Sequence, residues 1–210
     1  MIPATLGSEL SDALSKAHLT HVVAPTDPGA VIARGLLSTL GHLVPAPLSS
    51  LVESLEASAE RVSTTFPTPF GVVIVLSQGA VADPVEYAAT IAHEHQHAAQ
   101  IHARGGIGAA VDYLGSGELR ARAEADAYAV GVCVRWMLTG QLPTLDEALA
   151  PEASGLYHLG AGDLALARGV LASHLETMHA GLLPPLSVAR EAHAWLAKVH
   201  PEALAATVLT

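Results

Sequence analysis

The chain has 210 residues, of which 50% are hydrophobic and 14% charged, enough apolar material for a sizeable core and unlike a disordered composition. Twenty acidic residues against ten basic ones give a formal net charge of −10, and no basic cluster interrupts them, so nucleic acid is not an expected partner. The single cysteine, Cys133, excludes an internal disulfide framework and a cysteine-rich structural zinc site, and its neighbours Val132 and Val134 place it in a core.

In chain order, Leu6 to His18 carries a helical apolar pattern and Thr26-Asp27-Pro28-Gly29 reads as a turn. Val31 to Leu43 is expected to form a second helix, stopped by Pro45 and Pro47. A third is expected over Leu48 to Val62, with Leu51, Val52, Leu55 and Ala59 opposite Glu53, Glu56 and Glu60, before Phe66-Pro67-Thr68-Pro69 breaks it. Gly71 to Leu76 is the one convincing strand, short and β-branched. Its continuous apolar run suggests burial on both faces, with an edge position as the alternative.

The best-defined helix follows. Asp83 suits the N-cap, Pro84 the first helical position and Glu86 the acidic partner of a capping box; Gly105-Gly106 ends the helix after about Arg104. Another helix is expected from Gly117 or Glu118 to Leu138, ended by Gly140. Thr144 caps a short helix through Leu149, and Gly162 to Ala180 and Ser187 to Val199 complete a helical C-terminal part.

No internal repeat and no long linker divides the chain. A single domain is expected over 1–210, with a helical N-terminal segment over 1–69, a central part over 70–138 and a helical part over 139–210. Met1 to Leu14 lacks a positive start and carries Glu9 and Asp12, unlike a secretory signal. The apolar run Gly29 to Leu48 is broken by Arg34, His42, Pro45 and Pro47. Neither export nor membrane insertion is therefore expected, and the expected location is cytoplasmic.

Twelve histidines are present, and only those from His93 to His102 are dense. His93-Glu94-His95-Gln96-His97 contains His-Glu-x-x-His. Residues four apart lie on one face of a helix, so His93 and His97 can offer ring nitrogens to one metal ion. Glu94 sits one step round, placed to take a proton from an attacking water without ligating. His95 should project elsewhere.

A short strand, then Tyr-x-x-x-x-x-His-Glu-x-x-His-x-x-Gln, then a second helix with an acidic residue resembles the zincin metallopeptidases, and among them small gluzincin-type proteins. The likeness covers roughly residues 70–138. It implies an α+β, predominantly α-helical domain with a small β-sheet and the motif on its active-site helix. It also implies zinc held by His93 and His97, Glu94 as general base, a downstream Glu as third ligand, and a peptide or protein substrate. The metzincin pattern is excluded, because Gln100 and Ala103 stand where it requires Gly and His.

Glu118 and Glu124 compete as third ligand. Glu124 is preferred: it lies 27 residues after His97 (124 − 97), room for a turn and a returning helix, and small residues flank it. Its alternative is a surface pair with Arg120. Asp126 is placed either to orient a ligand histidine or to pair with Arg122. Tyr113, Tyr128, Tyr157, His158 and His174 are candidates to stabilise a developing oxyanion. Gln100 and His102 are expected outside the ligand set. A non-catalytic protein that uses zinc to fix two helices and acts through a partner is the second reading, and a metal store the third.

Overall fold

The computed structural model describes residues 2–24, 63–68, 71–153 and 159–205. The helices expected over 31–43 and 48–62 and the turn at 26–29 lie outside the described residues. What is described is mostly helical, with one small mixed sheet.

Helix α1 spans Leu6–His18, as its periodicity predicts, and turns Leu6, Leu10 and Leu14 into the core. Leu19 stops it in a left-handed conformation (φ 50°) and opens strand β1, Thr20–Val23. Strands β2, Thr64–Thr68, and β3, Gly71–Val75, follow, in the order β1-β3-β2. The predicted strand is thus the central one. β1 pairs with it in parallel, Thr20 beside Val72 and Val23 beside Val75. β2 pairs antiparallel, Thr64 opposite Val75 and Thr68 opposite Gly71.

The sheet is larger than the sequence suggested. Phe66-Pro67-Thr68, expected only to break a helix, lies inside β2, where an edge position tolerates a proline that cannot donate. Alternation explains the apolar run of β3. Ile74 joins the helical core, while Val75 and the half-buried Val73 pack with Val23 and Phe66 on the other face.

After a 3₁₀ turn at Gly79–Val81, helix α2 runs Pro84–Ala103. Asp83 caps it, its Oδ1 accepting from the backbone N–H of Val85 at 2.8 Å and of Glu86 at 3.0 Å. The expected capping box does not form. Glu86 instead receives Nε and an Nη of Arg135 at 2.8 and 2.6 Å, a two-pronged pair that joins the start of α2 to the end of α4. Gly105 and Gly106, both at positive φ, turn the chain into α3, Ile107–Gly115, a helix the sequence did not announce.

Helix α4, Gly117–Thr139, starts under Ser116 and ends at Gly140 (φ 75°). Most of its length is buried, with Ala121, Ala125 and Ala129 fully so, because α2 covers one side and α6 another. Cys133 sits within it, and burial pushes its thiol up to about 12, as an inert core residue. Helix α5, Leu145–Ala153, carries a reciprocal cap between Thr144 and Glu147 and runs one turn past its expected end. Helices α6, Ala161–His179, and α7, Ser187–Val199, lie where the pattern put them, and Pro201–Ala203 forms a last 3₁₀ turn. One principal core draws on α1, β3, α2 and α4 to α7. Among the described residues no helix is long and apolar enough to cross a membrane.

His200 ties the two ends of the described chain. Its Nε2 lies 2.9 Å from Glu9 of α1 and its Nδ1 3.2 Å from Glu202, an arrangement that needs both ring nitrogens protonated. The hydrogen bond to Glu9 accordingly raises the His200 pKa, against some loss from burial. A histidine raised in the folded state contributes stability in full below its unfolded pKa of about 6.5. That contribution is lost as pH rises through the folded value. Thermal melts of wild type and His200→Gln should therefore differ most at pH 6 and converge towards pH 9; a gap independent of pH would assign the contact to packing alone.

Candidate metal centre

Three predicted residues converge between α2 and α4. One ligand atom each from His93, His97 and Glu124 lies within 4.8 Å of the others. His93 Nε2 and His97 Nε2 face each other at 3.2 Å, and Glu124 stands 3.9 Å from the first and 3.5 Å from the second. The helical repeat brings the histidines together, and the reversal through α3 brings Glu124 back against them.

Close approach of the two helices depends on a small residue. A Cβ at Gly131 of α4 would lie 3.2 Å from the carbonyl oxygen of Ala89 and 3.6 Å from His93 Cβ. Glu118, the competing carboxylate, is exposed on α4 and pairs with Arg122 at 3.3 Å, away from the cluster.

No family model, curated protein or solved structure matches this chain.

The donor set suits a metal on its own chemistry. Glu124 is 2% exposed, and its Oε2 has no hydrogen-bond partner, an unusual state for a buried carboxylate oxygen. Two imidazole nitrogens and a carboxylate oxygen are a common ligand set for zinc, and His93 and His97 each keep slight access to solvent.

The three groups also interact directly with one another. Burial and the neighbouring His97 lower His93 to about 3. Burial also opposes charge on His97, but the Glu124 carboxylate outweighs it and raises this ring to about 9. Burial likewise works against the charge of Glu124, and His97, His93 and Tyr113 overcome it to hold its pKa low. The attraction between His97 and the Glu124 carboxylate thus favours opposite charges on these two groups.

Glu94 is 3% exposed on the same helix. Thr65 of β2 donates its hydroxyl to Glu94 Oε2 at 2.6 Å and lies 3.2 Å from the Glu94 carbonyl oxygen. Burial raises the Glu94 carboxyl to about 7, with His97 and Thr65 pulling against it, a value suited to a group that must gain and lose a proton near neutrality. Nothing local in Thr64-Thr65-Phe66 marks Thr65, because the contact depends on how the sheet lies across α2.

Tyr113 of α3 donates to Glu124 Oε1, and burial followed by that carboxylate raises its pKa well above the usual phenol value. Arg120 serves α3 rather than Glu124: it donates to the carbonyls of Tyr113 and Leu114 at 2.9 and 3.3 Å. The ring of Tyr128 meets His93 edge-on, with centroids 4.7 Å apart. Tyr157 and His158 lie outside the described residues.

The expectation for Asp126 needs correction. Asp126 orients neither ligand histidine; its Oδ1 lies 2.9 Å from His174 Nε2 of α6. Nor does it pair with Arg122, which Glu118 has taken. Asp126 is two residues beyond Glu124, and a helical step of about 200° turns it away from α2. His95 does point away from the cluster, as expected. It is fully buried, with Nδ1 2.8 Å from the Ile91 carbonyl and Nε2 2.9 Å from Thr20 Oγ1. Burial lowers it to about 4, so it is a neutral strut between α2 and β1.

Proposed function

We propose that this chain is a zinc-dependent metallopeptidase in which His93, His97 and Glu124 hold the ion and Glu94 is the general base. The observation that carries the reading is the convergence of three donor atoms within 4.8 Å beside a buried, non-ligating carboxylate. The ion would supply Lewis acidity, lowering the pKa of the attacking water and polarising the carbonyl to be cleaved. Glu94 accepts the proton of that water and returns it to the leaving amine. Thr65 holds one oxygen of Glu94, fixing the plane of the carboxylate. Tyr113 holds Glu124 by a hydrogen bond, so the acidic ligand has one set position.

Peptide as substrate rests on the likeness of the His93–His97 segment to the gluzincins, as does a zincin-like reading of the fold. The mostly helical arrangement, with a strand laid across the motif helix, agrees with that likeness. A site in which zinc merely staples α2 to α4 has no use for Glu94. Burying an ionisable carboxylate is costly, and an apolar residue there would serve a staple better.

The direct test is metal analysis of the purified full chain, followed by a screen against a peptide library. About one zinc per chain together with chelator-sensitive cleavage is the expected result. A chain that takes up no zinc at neutral pH would overturn the reading, and one that binds zinc yet cleaves nothing would favour the staple.

A further inference from the structure

Gln100 lies three residues after His97 on α2, and its type and spacing alone give it no role. In the folded chain its amide bridges the two helices that carry the cluster. Its Oε1 is 3.1 Å from His97 Nδ1, and its Nε2 donates to the carbonyl oxygen of Ala123 on α4 at 3.1 Å.

The Ala123 carbonyl decides the rest. A carbonyl oxygen only accepts, so the amino end of the Gln100 amide must face it. The other end, facing His97, is then an oxygen and also only accepts. His97 Nδ1 must therefore carry a proton, which in the neutral ring leaves the lone pair on Nε2. Nε2 is the atom turned towards His93 and Glu124. Glu124 directly follows Ala123, so the same amide also ties the backbone of the acidic ligand to the helix of the histidines.

We infer that Gln100 is a positioning residue for metal binding: it sets the tautomer in which His97 offers Nε2, and it links α2 to α4 at the site. This inference rests on the zinc reading given above. An amide serves here where a carboxylate would add a third negative charge to a buried cluster that already holds Glu94 and Glu124.

The test is zinc affinity by competition with a chromogenic chelator, measured on the full chain for wild type, Gln100→Leu and Gln100→Glu. Thermal melts of the metal-free proteins run in parallel. Leu fills similar space but offers Nδ1 nothing; Glu keeps the acceptor for Nδ1 and loses the donor to Ala123. Gln100→Leu should bind zinc about 10- to 100-fold more weakly, the usual cost of losing such a partner. Gln100→Glu should restore most of that loss, although its melting temperature falls with the broken link to Ala123.

Unchanged affinity in Gln100→Leu overturns the inference while leaving the zinc reading intact. Equal losses of affinity in both variants, tracking equal losses in melting temperature, reduce Gln100 to a helix tie and also overturn it. Failure of the wild type to bind zinc removes the reading on which the inference stands, and the inference with it.

Discussion

Glu94→Gln is expected to keep wild-type zinc content and to lower kcat on any cleaved peptide by about 100- to 10,000-fold, the usual worth of a positioned general base. The substitution preserves shape. Glutamine can still accept the Thr65 hydroxyl that reaches Oε2 at 2.6 Å, so β2 and α2 keep their contact. What disappears is the ability to take a proton. In activation terms the loss is roughly 3–5 kcal/mol. Because Glu94 is not among the converging ligand atoms, metal content should not move with activity. Steady-state kinetics alongside metal analysis separates the two. A Gln variant that turns over at the wild-type rate would remove Glu94 from the chemistry.

Glu124→Ala should have the opposite profile, losing the metal first and activity as a consequence. Glu124 is buried beside the two imidazoles and, among the described residues, supplies the one carboxylate among the three converging donor atoms. Its removal subtracts a ligand and leaves the Tyr113 hydroxyl and the His97 ring facing a cavity. The fall in zinc affinity should exceed the roughly 10- to 100-fold typical of losing a supporting partner, since a ligand itself is gone. Glu124→Gln refines the test. It keeps the volume and an acceptor for Tyr113 but removes the charge, so weakened binding in a normally folded Gln variant isolates the carboxylate. Zinc retained at wild-type affinity in both variants would exclude Glu124 as a ligand, and isothermal titration would show it directly.

The two outcomes differ because the two acids stand in different places on neighbouring helices. Glu94 lies one residue from His93, a step of about 100° around α2, beside the ligand face but off it. Glu124 reaches that face from α4. Its low pKa and the raised pKa of His97 express their attraction, and its Oε2 has no hydrogen-bond partner.

The sequence by itself determined what depends on neighbours a few residues away. The 3.6-residue repeat put His93 and His97 on one face and Leu6, Leu10 and Leu14 on another. Asp83, Gly105 and Gly140 marked helix ends through local backbone chemistry. The choice of Glu124 over Glu118 was legible in chain length and small flanking residues, and the folded chain places Glu124 alone of the two at the histidines.

Only the tertiary structure decided which side chains meet across elements. Strands β1 and β2 are too short and polar to announce themselves, and they form because β3 offers its two open edges. Helix α3 is short and holds two glycines, a poor former on propensity, yet it packs beside α2 and α4 and so brings Tyr113 to Glu124. Thr65 meets Glu94 across 29 residues and Gln100 meets Ala123 across 23. Asp126 turns to His174 rather than to a ligand because it sits on the wrong side of α4. A hydrogen bond between distant residues depends on where two whole elements are packed, and that placement is set by the buried surface of the entire core.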